Sequence, residues 1–175
     1  FTEGDETFEG LKRIEEKGEL HMYYRGNSLF KKLSDLPDAI EQARRWNEKY
    51  QDSKMQTECI KLFLDGTNEL GTAALMEPFV EEPDNYGVIN MEEKELTEAM
   101  LQINEAKLDL QIHMVGDRAF HTAVNAVENA KKKLEQEGKE FTSRVTLLHC
   151  ELTKPEDRRR AAELGIYINI TPHWN

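Results

Sequence analysis

Apolar positions recur along this chain in two alternating rhythms. Spacings of three and four residues, opened by Asp or Pro and closed by Gly, predict helices, while short continuous apolar runs between them predict strands. The first helix is expected over residues 5–17, closed by Gly18, and a strand over residues 20–24. Pro37 behind Asp35 suits a first helical turn, and Ala39, Ile40, Ala43 and Trp46 then share one face. Residues 59–64 read as the next strand. A stretch rich in Gly, Pro and Asn follows over residues 65–90, and connections that long inside a compact domain are usually functional. Asn90, with Glu93 three residues on, predicts the start of a helix over 91–107, before a strand at 109–115. Asp117 stands where an N-cap belongs, ahead of a helix over 118–136. A strand at 144–150, a helix opened by Thr153, Pro155 and Glu156 and closed by Gly165, and a strand at 166–170 complete the series.

Five strands alternating with helices imply an α/β fold with a parallel sheet and right-handed crossovers. Part of a TIM-like barrel and an open doubly wound sheet both satisfy that pattern. No G-x-G-x-x-G or G-x-x-x-x-G-K-[ST] follows a strand, so the nucleotide-binding version of the open sheet loses ground. The length of 175 residues falls short of the roughly 250 of a complete eight-stranded barrel. Residues 1–175 are therefore expected to form one partial (β/α) barrel domain of about five strands, a central piece cut from a longer protein.

Composition narrows the partners. Lys and Arg number 23 against 34 Asp and Glu, a formal charge of −11, which disfavours nucleic acid and anionic lipid. No apolar run approaches the roughly 20 residues of a membrane-spanning helix. Cys59 and Cys150 lie far apart without C-x-x-C spacing, so no disulfide or zinc knuckle is suggested and a cytoplasmic setting is expected.

Three predicted strands carry a polar residue near the C-terminal end. If Ile60, Leu62 and Leu64 face covering helices, Lys61 faces the other way; the same alternation turns Gln111 and His113 inward. In residues 145–149 the two faces are less distinct, yet His149 again ends the strand. Alone, Lys61 would read as an edge residue with its ammonium in water, and each His as a hydrogen-bonded core residue. Equivalent positions on three strands instead point to a shared site. Metal-assisted hydrolysis fits it: imidazole is a common zinc ligand, and Lys61 could join by losing its proton and taking up carbon dioxide as a carbamate.

The motifs Ile60-Lys61-Leu62-Phe63-Leu64-Asp65-Gly66, Gly71-Thr72-Ala73-Ala74-Leu75, Ile112-His113-Met114-Val115-Gly116-Asp117-Arg118-Ala119 and Leu148-His149-Cys150 together resemble the amidohydrolase superfamily. The similarity is to its Amidohydro_3 branch of YtcJ-like proteins, N-substituted formamide deformylases and exoenzyme regulatory proteins. The resemblance implies a metallo-dependent hydrolase barrel, a divalent metal such as zinc, and a small amide- or formamide-type substrate cleaved at a C–N bond. By position it makes Lys61 the carboxylated bridging lysine and His113 and His149 the single histidine ligands. The family's His-x-His pair and its last-strand Asp have no match among His21, His113, His121, His149 and His173, so no catalytic residue is assigned and the 175 residues alone are expected to be inactive.

Asp65 and Thr72, in the long excursion, and His173, after the last strand, are candidate substrate contacts; ordinary turn chemistry and simple exposure are the alternatives. Asp117 is expected to cap its helix. His121 is expected on a solvated helix face and Lys131, Lys132 and Lys133 in a solvated run near a helix end. Cys150 beside His149 could be a thiol nucleophile, but no base accompanies it. A non-catalytic regulatory or structural relative without metals is the alternative function, and a (β/α) enzyme using Lys61 as an amine is a third. An open part-barrel exposes strand edges, so self-association is expected.

Overall fold

The structure, a computed structural model, describes residues 4–171. Its elements are α1 (Asp5–Glu16), β1 (Tyr24–Leu29), α2 (Leu36–Lys49), β2 (Met55–Phe63), α3 (Glu93–Glu105), β3 (Asp109–Met114), α4 (Asp117–Gln136), β4 (Val145–His149), α5 (Pro155–Glu163) and β5 (Tyr167–Ile170), with a short 3₁₀ turn at Leu33–Asp35 before α2. The five strands form one parallel sheet in chain order, β1-β2-β3-β4-β5. This is the α/β architecture expected of part of a TIM-like barrel.

Alternation along the strands gives the sheet two unlike faces. Ile60, Leu62, Leu64, Leu110, Ile112, Met114, Val145 and Leu147 are buried beneath the helices. They meet Ala39, Ile40 and Ala43 of α2, Leu96, Ala99, Met100 and Ile103 of α3, and Phe120, Ala123 and Val127 of α4. Each large aliphatic side chain so covered contributes about 1.5–3 kcal/mol. The opposite face carries Asn27, Lys61, Phe63, Gln111, His113 and Thr146, set side by side by the register Lys61–Gln111–Thr146 and Phe63–His113. Asn27 Nδ2 donates to Gln111 Oε1 at 3.0 Å across β2.

A second cluster pins α1. Phe8 stacks on Trp46 at 4.6 Å and on Tyr50 at 5.3 Å, with Leu20 and Met55 closing the group. Glu15, in the last turn of α1, accepts the Lys54 backbone N–H and the Ser53 hydroxyl, both at 2.7 Å, and pairs with Lys12. These donors hold its carboxyl down at about 2.

Several boundaries differ from the sequence expectation. The first strand lies at Tyr24–Leu29 rather than 20–24, because the buried polar residues Asn27 and Ser28 find side-chain partners in Gln111 and Gln42. His21 consequently precedes the strand. β2 starts at Met55, four residues before the apolar run. Three expected caps do other work: Asn90 donates to the Phe63 carbonyl, Asp117 is the first helical residue behind Gly116, and Thr153 accepts from Arg158. His121 is not simply solvated, since its Nδ1 lies 2.9 Å from the buried Asp157 carboxylate. Lys131, Lys132 and Lys133 are likewise engaged, by the Leu164 carbonyl, Glu128 and Glu98.

Glu15 supplies a pH-dependent anchor. A carboxyl depressed on folding stabilises above its unfolded value of 4.5, and that stability is lost as pH falls through about 2. Glu15→Gln is expected to flatten the stability profile between those two values, measured by urea unfolding across acid pH.

Candidate functional site

The long connection between β2 and α3 is held down by one buried carboxylate. Asp65, two residues past the end of β2, accepts the backbone N–H of Ala74 at 3.0 Å, of Val115 at 2.9 Å and of Gly116 at 2.8 Å. Burial pushes its carboxyl up from the ordinary range, while the three amide donors act in the opposite direction. The same Ala74 peptide turns its carbonyl to the first amides of α4, accepting from Arg118 N at 3.1 Å and Ala119 N at 3.4 Å. Those amides have no partner inside the helix, so the docked carbonyl satisfies them.

Gly116 permits this contact, because a Cβ there would lie 1.9 Å from the Ala74 carbonyl oxygen. Asp117 then accepts the Met76 N–H at 2.9 Å, and the Arg118 guanidinium donates to the Tyr86 carbonyl at 3.1 Å. The Gly-Asp-Arg-Ala segment is thus an anchor for residues 65–90. The Asp65 side chain has no exposed surface and forms this brace. Thr72 is also a turn residue: its Oγ1 accepts the Thr67 N–H at 3.0 Å. His173 lies outside the described residues.

Above the brace, Lys61, His113 and His149 stand at the C-terminal ends of β2, β3 and β4. Lys61 and His113 are 5% and 6% exposed, and burial lowers the Lys61 ammonium to about 8. The His113 and His149 ring centroids are 4.8 Å apart. The Phe63 ring, on the same strand as Lys61, is 5.1 Å from the Lys61 Nζ and 5.1 Å from the His113 ring. His113 Nε2 is 2.9 Å from the Gly66 carbonyl. A carbonyl only accepts, so Nε2 carries a hydrogen, and a bond from this ring to a cation would come through Nδ1. His149 Nδ1 lies 2.9 Å from the Thr171 hydroxyl, so a bond from this ring to a cation would come through Nε2.

His149 reaches this face by an irregular route. Register pairs Leu148 with His113 and His149 with Met114, whose side chain is buried under the helices, so plain alternation would turn His149 outward. Instead His149 has φ of 73°, and the Cys150 N–H bonds back to the Leu148 carbonyl at 3.1 Å. This is a γ-turn centred on a positive-φ residue, the rare and strained form. Cys150 follows at φ of 51°. Burial and the neighbouring His113 and Lys61 push the His149 imidazole down to about 4, keeping the ring neutral at pH 7.

Two imidazoles and a lysine of lowered pKa can offer lone pairs to a divalent cation once the lysine loses its proton. Among the described residues no three His, Cys, Asp or Glu side chains gather as a ready metal site, because the trio includes a lysine. A thiol nucleophile finds no support: burial drives Cys150 up to about 12, and its Sγ rests on the Met114 sulfur. Phe63 is the residue the sequence reading passed over. Its place in the alternation, on the face of Lys61, was the available signal.

Comparison with known proteins follows the same lines. The amidohydrolase family model matches residues 1–175. The exoenzymes regulatory protein AepA of Pectobacterium carotovorum is 23% identical over 172 residues, which cover 96% of this chain and 35% of AepA. YtcJ of Bacillus subtilis, which bears an amidohydrolase name, is 27% identical over 136 residues, 77% of this chain and 24% of YtcJ. An uncharacterised metal-dependent hydrolase from Pyrococcus furiosus shares the fold with a TM-score of 0.77 at 24% identity, over 99% of this chain and 34% of that one. The chain spans about a quarter to a third of the length of these relatives.

The γ-turn at His149 makes an unusual forecast for stability. His149→Val, β-branched at a left-handed position, is expected to be about 1–3 kcal/mol less stable than His149→Gly, which adopts that φ freely. Urea denaturation of the pair measures the difference, and equal midpoints would contradict the turn.

Proposed function

The chain belongs to the amidohydrolase family, and from that premise we propose that Lys61, His113 and His149 are its contribution to the divalent-metal centre of a hydrolase. The substrate class is a small amide- or formamide-type compound, cleaved at a C–N bond by the whole protein. The observation that carries this reading is the convergence of the three side chains on one face at the C-terminal ends of adjacent parallel strands, where (β/α) barrels build their sites.

The residues fit a divalent cation in two respects. Each histidine has one ring nitrogen held by an oxygen, Gly66 for His113 and Thr171 for His149, the arrangement that orients a metal-ligating imidazole through its other nitrogen. Lys61 is buried and shifted toward the neutral amine. That amine attacks carbon dioxide: a C–N bond forms, one proton leaves to solvent, and the resulting carbamate anion has the oxygens a cation prefers. Zinc suits the imidazole nitrogens and carbamate oxygens best. When bound, such an ion lowers the pKa of its water and polarises a carbonyl.

The 175 residues hold part of the ligand set and no assigned proton-transfer residue, so turnover is reserved for the whole protein. Two free cysteines accord with a cytoplasmic setting. The β1 and β5 edges, with Tyr167 and Ile170 57% and 59% exposed, make self-association of this chain part of the same reading. Light scattering is expected to report a species larger than the monomer; a clean monomer would remove that part.

Metal and carbamate have separate tests. Calorimetric titration with zinc is expected to show binding that His113→Asn and Lys61→Ala each weaken by roughly tenfold or more. Labelled bicarbonate is expected to give a carbamate carbon signal that Lys61→Ala abolishes. Absence of both zinc uptake and the carbamate would favour a non-catalytic relative that keeps the fold without the metal.

A further inference from the structure

A cavity of about 440 Å³ opens beside the candidate centre, lined by Phe30, Lys31, Lys32, Phe63 and Asn90. Its composition is unlike that of the surrounding surface. Phe63, 43% exposed, gives it an aromatic side chain, while Phe30, directly after β1, is buried in the helix-side core. Phe63 also forms the boundary with the centre, its ring being 5.1 Å from both the Lys61 Nζ and the His113 ring. A group seated against Phe63 is therefore next to the reacting end of the site.

The rim is cationic in a chain whose net charge is −11. Lys31 and Lys32 are both exposed, and neither forms an ion pair among the described residues. The acid closest in sequence, Asp35, is occupied by the Lys32 backbone N–H and the Ser34 hydroxyl. Asn90 donates its amide N–H to the Phe63 carbonyl, which holds the mouth of the cavity to the end of β2. Some Lys and Arg side chains on the helices are matched with Glu or Asp, as in Lys49–Glu9, Lys132–Glu128 and Arg160–Glu128, whereas Lys31 and Lys32 are not. Two adjacent unmatched ammonium groups over an aromatic wall suit an anion carried on an apolar stem.

We propose that this cavity is a specificity pocket for a substrate bearing a carboxylate on an aromatic or apolar stem, with Phe63 holding the stem and Lys31 and Lys32 the carboxylate. The inference rests on the reading above for the position of the reacting centre and adds the class of substituent next to it. Binding in the pocket itself needs no metal.

Phenylacetate and phenylacetamide, alike except for charge, are the probes, added to the metal-free 175-residue chain and followed by amide chemical-shift titration. Phenylacetate is expected to shift Phe63, Asn90, Lys31 and Lys32 and to bind about tenfold more tightly than phenylacetamide, with the preference shrinking as salt is raised. Lys31→Glu/Lys32→Glu is expected to erase the preference, whereas Lys17→Glu/Lys94→Glu, an equal change in net charge at exposed sites elsewhere, leaves it intact. Equal binding of the two probes, binding of neither, or a preference that survives the Lys31/Lys32 reversal overturns the proposal. Because metal is absent from these titrations, failure here leaves the zinc and carbamate tests standing, and failure of those leaves this result unchanged.

Discussion

The carboxylate of Asp65 is the interaction on which the arrangement of this chain turns. It collects three backbone N–H groups from two separate places, the excursion at Ala74 and the β3–α4 junction at Val115 and Gly116, and ties both to the end of β2. Lys61 lies just before Asp65 on one strand and His113 just before Val115 on the next. A single buried anion thus fixes both strand ends at the depth the site requires. The Ala74 peptide completes the joint by giving its N–H to Asp65 and its carbonyl to the start of α4. An uncompensated carboxylate at this depth would be costly, and three amide donors make it tenable.

This accounts for the residue types in the motifs. Gly116 is small because the Ala74 carbonyl occupies the space of its side chain, and Gly87, at φ of 68°, is small because a Cβ would lie 1.7 Å from the Ala73 oxygen. Asp117 and Arg118 are polar because they fasten further backbone groups of the same excursion. The residues most useful for recognising the family by sequence are, in this structure, chiefly those that hold a loop in place.

The order of strands and helices was legible because Ile60, Leu62 and Leu64, or Leu110 and Ile112, announce a buried face by plain alternation. β1 was not, because Asn27 and Ser28 are buried through hydrogen bonds with Gln111 and Gln42, and no local pattern reveals partners that far along the chain. Lys61 and His113 could be assigned to the inner face for the same reason that β2 and β3 could be found. His149 could be located but not oriented, since its direction depends on a positive φ that sequence seldom signals outside Gly and Asn. Asp65 and Thr72 looked equally suited to touching a substrate. What separates that role from bracing is which backbone amides come near, and tertiary structure alone decides it.

The sequential order of the sheet has a further consequence, for the route by which the chain acquires its shape. Every strand pairs with the one made immediately before it, so no strand must wait for a later segment to be inserted between it and its neighbour. Parallel pairing is non-local and slow to nucleate, yet here each step extends an edge that already exists. These five strands can be added in order as this segment emerges in synthesis, with the Asp65 contacts closing as soon as β3 arrives. Growth of that kind always leaves the newest strand as the exposed edge, which ties the order of assembly to the surface most open to mispairing while assembly is under way.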